Sequence, residues 1–201
     1  MGVIESASRL FQLLATNDDT FTRHLRSGMP EARIREIMAP TGVELPAEAI
    51  AFYSRFNFAN GYQYTGDQPT FYGIYWLLSL EDAVEQYTLR AQHRFYYDDD
   101  DEVPAEVRGW FPLLQEDGNY YMLDTAHPCG GPCAVVDVST HCDSVVAFVS
   151  MQAMFDTLYH WVQEGIVPVE KGHVGGAYDG DPLRVAQIAA RFNPGVGSWA
   201  S

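Results

Sequence analysis

"GWFPLLQEDGNYYMLDT", residues 109–125, decides how the rest of the chain is read. Two short runs of aromatic and aliphatic residues flank "EDGN", a turn sequence with glycine. That pattern predicts two antiparallel strands joined by a tight turn. The next segments repeat the form. "CAVVDVS" and "SVVAFVS" predict two more strands, joined through "THCD". Successive short strands with short turns pair antiparallel, so the centre of the chain is a meander.

Helices surround it. Ile4, Ala7, Leu10, Phe11 and Leu14 recur at helical spacing and predict a helix over 3–16. Asp18 or Asp19 is expected to cap a second helix bearing Phe21 and Leu25 and ending near Gly28. Pro30 suits the first turn of a third, with Ile34, Ile37 and Met38 inward, and "PTG" at 40–42 stops it. Pro46 opens a helix expected to run to Asn60-Gly61. "TFYGIYWLLS" reads as a strand, and Ser79 caps the helix "LEDAVEQYTLRAQH". Ser150 caps a long helix with Met154, Phe155, Leu158 and Val162 on one face, closed by Gly165. Asp181-Pro182 starts a last helix, through about Phe192. The expected fold is α+β: a central, mainly antiparallel twisted sheet flanked by helices. One domain over 1–201 is expected, with 1–40 a helical extension and 168–201 a Gly-rich connector, helix and tail.

Of 201 residues, 47% are hydrophobic and 13% aromatic, enough for a sizeable core. The balance of 27 acids against 12 Lys and Arg gives a net charge of −15. Such a surface repels nucleic acid and anionic membranes and draws basic partners at salt-sensitive rates. Solubility alone is the bland reading of the same charge. No apolar run is long enough to span a bilayer, the N-terminus lacks the positive charge of a signal peptide, and the three cysteines accompany no export signal. Reduced thiols in the cytoplasm are expected.

Four motifs, in order, resemble one family. They are "LPAEAIAFYSRFNFANG", "YGIYWLLSLEDAVEQY", "GWFPLLQEDGNYYMLD", and "GGPCAVVD" followed by "SVVAFVSMQAMFDTLYHWVQEG". Together they resemble the SUKH superfamily, in its Smi–Knr branch of cell-wall assembly regulators and bacterial immunity proteins. The resemblance covers about 45–165, with "ARFNPGVGSW" as a weaker addition, and leaves 1–40 out. It implies a twisted sheet flanked by helices and no catalytic machinery. It also implies a role in binding proteins, for bacterial members often a nuclease or deaminase toxin.

The remaining chemistry is weighed against that background. Cys129, Cys133, His141 and Cys142 have the residue types of a zinc site. Adjacent His141 and Cys142 point to opposite sides of an extended chain, and Cys133 stands where a small apolar residue would do. A cysteine nucleophile needs a histidine in reach, but Pro128 separates His127 from Cys129. "DDDDEVPAEVRG" lacks the glycine and glutamate of a calcium-binding EF-hand loop. No metal, cofactor or catalytic residue is therefore expected. Trp76 and Trp110 are expected in the core, and Asp124 is expected to bond a turn backbone. The acids Asp98, Asp99, Asp100, Asp101 and Glu102 are either a solvated run or a patch for a basic partner. With Tyr62, Tyr64 and Tyr72, beside a Gly-containing loop, they form the expected partner-binding set. The expected partner is a basic toxin domain of nuclease or deaminase type; the alternative is a regulatory scaffold binding several host proteins.

Overall fold

The computed structural model describes residues 2–17, 19–58, 69–93, 108–116, 118–126, 133–139, 144–170 and 173–199. Five strands form the central sheet: β3 (Trp76–Leu77), β4 (Trp110–Glu116), β5 (Asn119–Asp124), β6 (Val135–Val138) and β7 (Val145–Phe148). They lie in chain order, each antiparallel to the next. The β4–β5 register shifts between Pro112 and Leu114. Proline has no N–H to give the ladder, so a bulge beside it is the expected accommodation.

The helices are α1 (Val3–Asn17), α2 (Thr20–His24), α3 (Glu31–Met38), α4 (Ala47–Arg55), α5 (Leu80–His93), α6 (Met151–Gln163) and α7 (Pro182–Phe192). Both expected serine caps form, and Asp181, expected to start the last helix, caps it. Ser79 Oγ accepts from the Asp82 amide at 3.0 Å, Ser150 Oγ from Ala153 at 2.9 Å, and Asp181 Oδ1 from Leu183 at 3.0 Å. Asp19 makes no such cap; its carboxylate takes Arg23 instead, at 2.6 Å.

Two expected helices are shorter than their patterns. The second ends at His24, and Leu25–Ser27 is strand β1; the fourth ends at Arg55, and Phe56–Phe58 is strand β2. β1 and β2 pair antiparallel, Leu25 opposite Phe58. Long-range pairing of the aromatic segment 56–58 has overridden the helical continuation. Gly28 closes this ribbon: a Cβ there would lie 2.3 Å from the Ser54 carbonyl carbon, so only glycine lets the chain pass. "TFYGIYWLLS" is also mostly not strand. Beyond Trp76–Leu77 it makes a turn, with Gly73 at φ +61°. In the connector, β8 (Val169–Glu170) and β9 (His173–Val174) form a small hairpin.

One face of the sheet presents Phe111, Leu123, Val135 and Phe148 to the main core, with Met154, Phe155, Leu158 and Trp161 of α6. Ala7, Leu10 and Leu14 of α1 are fully buried in that same core. The other sheet face holds a smaller cluster of Tyr120, Met122, Val136 and Val138, with Trp110 packed on it. There Tyr120 donates to Gln86 Oε1 of α5 at 3.0 Å, and Arg90 lies 5.0 Å over the Tyr120 ring.

Two side chains, Glu48 and Asn193, make long-range polar contacts that tie helices to the rest. The first turn of α6 has no acid of its own, and Glu48 of α4 supplies one, accepting from the Gln152 amide at 2.7 Å. Asn193, just past α7, is buried; it accepts from the Val149 amide at 3.1 Å and donates to Thr157 Oγ at 3.0 Å. It anchors the tail, whose Trp199 indole donates to the Ala147 carbonyl and whose Ser198 hydroxyl donates to the Val146 carbonyl at 3.2 Å. The tail thereby covers carbonyls of β7, an edge strand of the sheet.

Candidate partner-binding site

Of the expected contact residues, Asp98 to Glu102, Tyr62 and Tyr64 lie outside the described residues. Tyr72 is placed in the core, 7% exposed. It begins the tight turn Tyr72-Gly73-Ile74-Tyr75, in which the Tyr75 amide donates to the Tyr72 carbonyl at 3.0 Å. The Gly73 amide donates to the Val174 carbonyl of β9 at 2.9 Å and pins the turn to the connector hairpin. Ile74, at the tip, is 59% exposed.

The turn sets two phenols against a third. The Tyr121 ring of β5 lies 5.1 Å from Tyr72 and 4.8 Å from Tyr75, both edge-to-face. The Tyr72 phenol lies beside that of Tyr121. Tyr121 donates to Asp137 Oδ2 on β6 at 3.1 Å. Burial, then the nearby Tyr72 phenol and Asp137 carboxylate, push the Tyr121 phenol well up. Burial also raises the Asp137 carboxyl, and the Tyr121 bond opposes that rise. Asp137 is half-buried, and among the described residues no lysine or arginine reaches it. Opposite it on β7 stands Val145, 47% exposed. The chain thus holds a half-buried carboxylate bonded to one phenol of a tyrosine cluster, with exposed Val145 opposite it.

Sequence reasoning singled out Tyr72 but missed Tyr75, Tyr121 and Asp137. The signal available was the one polar residue inside "CAVVDVS", opposite a tyrosine-rich strand.

The remaining candidates have plain structural roles. Cys133 is buried, and its thiol donates to the Asp124 carbonyl at 2.9 Å. Burial, then Asp124 and Glu48, push it up to about 12, so it is neither thiolate nor ready ligand at neutral pH. Cys129, His127, His141 and Cys142 lie outside the described residues. Among the described residues no three metal-ligating side chains come together. Asp124 Oδ1 accepts from the Ala126 amide at 3.1 Å, the turn bond expected of it. Trp76 packs on the main core and Trp110 on the smaller one, both only partly buried. A shallow groove of about 220 Å³ between α3 and α4 has Ile34, Met38, Val43 and Ile50 on its walls, with Glu44 among the lining residues.

A helix-flanked antiparallel meander defines an α+β fold. The profile of the SMI1 / KNR4 family (SUKH-1) matches residues 28–164, more than half of the chain, and the protein belongs to that family. Members of this family are generally non-enzymatic domains that bind proteins. The match begins at 28 and so takes in α3, which the motif resemblance left out. No curated protein matches the chain. None of the described helices is long and apolar enough to cross a membrane.

Proposed function

We propose that the protein is a cytoplasmic immunity-type binder that sequesters a basic toxin domain, of nuclease or deaminase class, by covering its working face. Family membership supports a binding role. The observation that carries the choice of a basic partner is the net charge of −15, with Asp137 held half-buried without a cation among the described residues. An acidic surface draws a basic protein quickly and misdirects like-charged competitors. Asp98, Asp99, Asp100, Asp101, Glu102, Tyr62 and Tyr64 are proposed as outer contacts, with aromatic side chains as anchors and the acids setting approach.

The test is capture by the tagged chain in its source organism, washed in rising salt, with mass spectrometry of what remains. One stoichiometric basic protein, released by salt, is the expected result. Several substoichiometric partners with no basic bias would replace this reading with a regulatory scaffold. Exchange of 98–102 for Ser and Asn should weaken capture and flatten its salt dependence; unchanged affinity and slope would remove the acidic run from the contact set.

A further inference from the structure

We infer that Asp137, with Tyr75 and Tyr121, forms a receptor for a guanidinium group, filled in the complex by one arginine of the basic partner. The inference deepens the proposed function and takes the identity of the guest from it, but the pocket is testable alone.

The geometry favours a cation over any other guest. Asp137 Oδ2 receives the Tyr121 hydroxyl at 3.1 Å, and among the described residues no donor reaches Oδ1. A half-buried carboxylate in that condition gains most from a charged donor, because the surrounding protein screens it less than water does. The phenols suit the same guest. Buried Tyr121 orients the carboxylate from beneath, and the ring of partly buried Tyr75, packed on Tyr121, supplies a face of the kind that attracts cations. Guanidinium fits better than ammonium: it is planar, offers five donors and stacks on aromatic rings. The exposed side chain of Val145, opposite Asp137 on β7, can take the apolar stem of an arginine. The pieces are also held in place. Tyr121 and Asp137 face each other across paired strands, and the Tyr72–Tyr75 turn is bonded to β9. A purely structural acid would instead be expected to have both oxygens satisfied or to be fully solvated.

The experiment is an amide NMR titration of the full chain with N-acetyl-arginine methylamide at low salt. The lysine analogue and the uncharged citrulline analogue serve as comparators. Saturable shifts at Val136, Asp137, Val145 and Val146 are expected, weaker with lysine and absent with citrulline. D137N keeps the size and the acceptor for Tyr121, and should weaken arginine binding about tenfold. Tyr75→Leu, which leaves Asp137 intact, should weaken it by a smaller factor. Thermal melts of both variants confirm folding. Equal saturation by citrulline, or by D137N, overturns the inference. So does a captured basic partner whose affinity D137N leaves unchanged, a result under which the proposed function itself stands.

Discussion

Two aromatic clusters share the main core and are built differently. Phe11, Phe52, Phe56, Phe58, Phe71 and Phe155 pack with ring centroids 5.1 to 6.4 Å apart, most of them edge-to-face. They join α1, α4, β2 and α6. At the other cluster Tyr72 and Tyr75 make the same edge-to-face contacts with Tyr121, whose hydroxyl bonds Asp137. Packing alone would be served by phenylalanine in both places. Tyrosine costs desolvation of a hydroxyl, which a buried site returns only through a bond. The difference separates the part of the core that holds the protein together from the part that offers chemistry to a guest.

Breaking the hydrocarbon cluster should have the largest effect. Phe11→Ala removes a buried ring with four aromatic neighbours. A loss of about 3–5 kcal/mol in urea unfolding is expected. A change below ~1 kcal/mol would mean that α1 is an arm docked on a domain stable without it. The next variant opens the tyrosine end. Asn193 fixes the tail that sets Trp199 5.9 Å from both Phe148 and Trp161, and Trp161 stacks on Tyr72 at 5.8 Å. Asn193→Ala strands the Val149 amide and removes a donor from the Thr157 hydroxyl, which still donates to the Ala153 carbonyl, at a cost of about 2 kcal/mol. Tryptophan emission should shift to the red as Trp199 loosens; an unshifted spectrum would deny the tail its anchoring role.

The two clusters were not equally legible. Phe11 and Phe155 sit in long amphipathic helices, whose period shows in the sequence over many residues. The hairpins and the caps at Ser79, Ser150 and Asp181 were legible for a similar reason: each is a local rule read within a few positions. Phe56–Phe58 was misread because a three-residue strand has no period of its own, and its partner Leu25–Ser27 lies far back in the chain. Asp137 was invisible as a site for the same reason. Its alignment with Tyr121 comes from strand register, and the packing of the Tyr72–Tyr75 turn on Tyr121 comes from the fold. Charge runs such as 98–102 drew notice because acids adjacent in sequence are easy to count. A single acid made special by its surroundings is not.

The finest distinction between the clusters is electrostatic. Tyr121→Phe keeps the ring but removes the only described donor to Asp137, and should cost about 1 kcal/mol. The pH dependence is smaller and has a definite sign. Burial holds the Asp137 carboxyl above its ordinary range, so the folded chain keeps that proton to a higher pH than the unfolded chain does. Between the unfolded and folded values the native state binds more protons, so its stability falls as pH rises through that window. Glu48, also raised chiefly by burial, adds to the same slope. Subtracting the D137N curve isolates the Asp137 part. Tyr121→Phe removes the bond that favours the charged form, so it should carry the window to higher pH. A flat difference curve, or one that rises with pH, would show that Asp137 is solvated like any surface acid, leaving the tyrosine cluster as packing and no more.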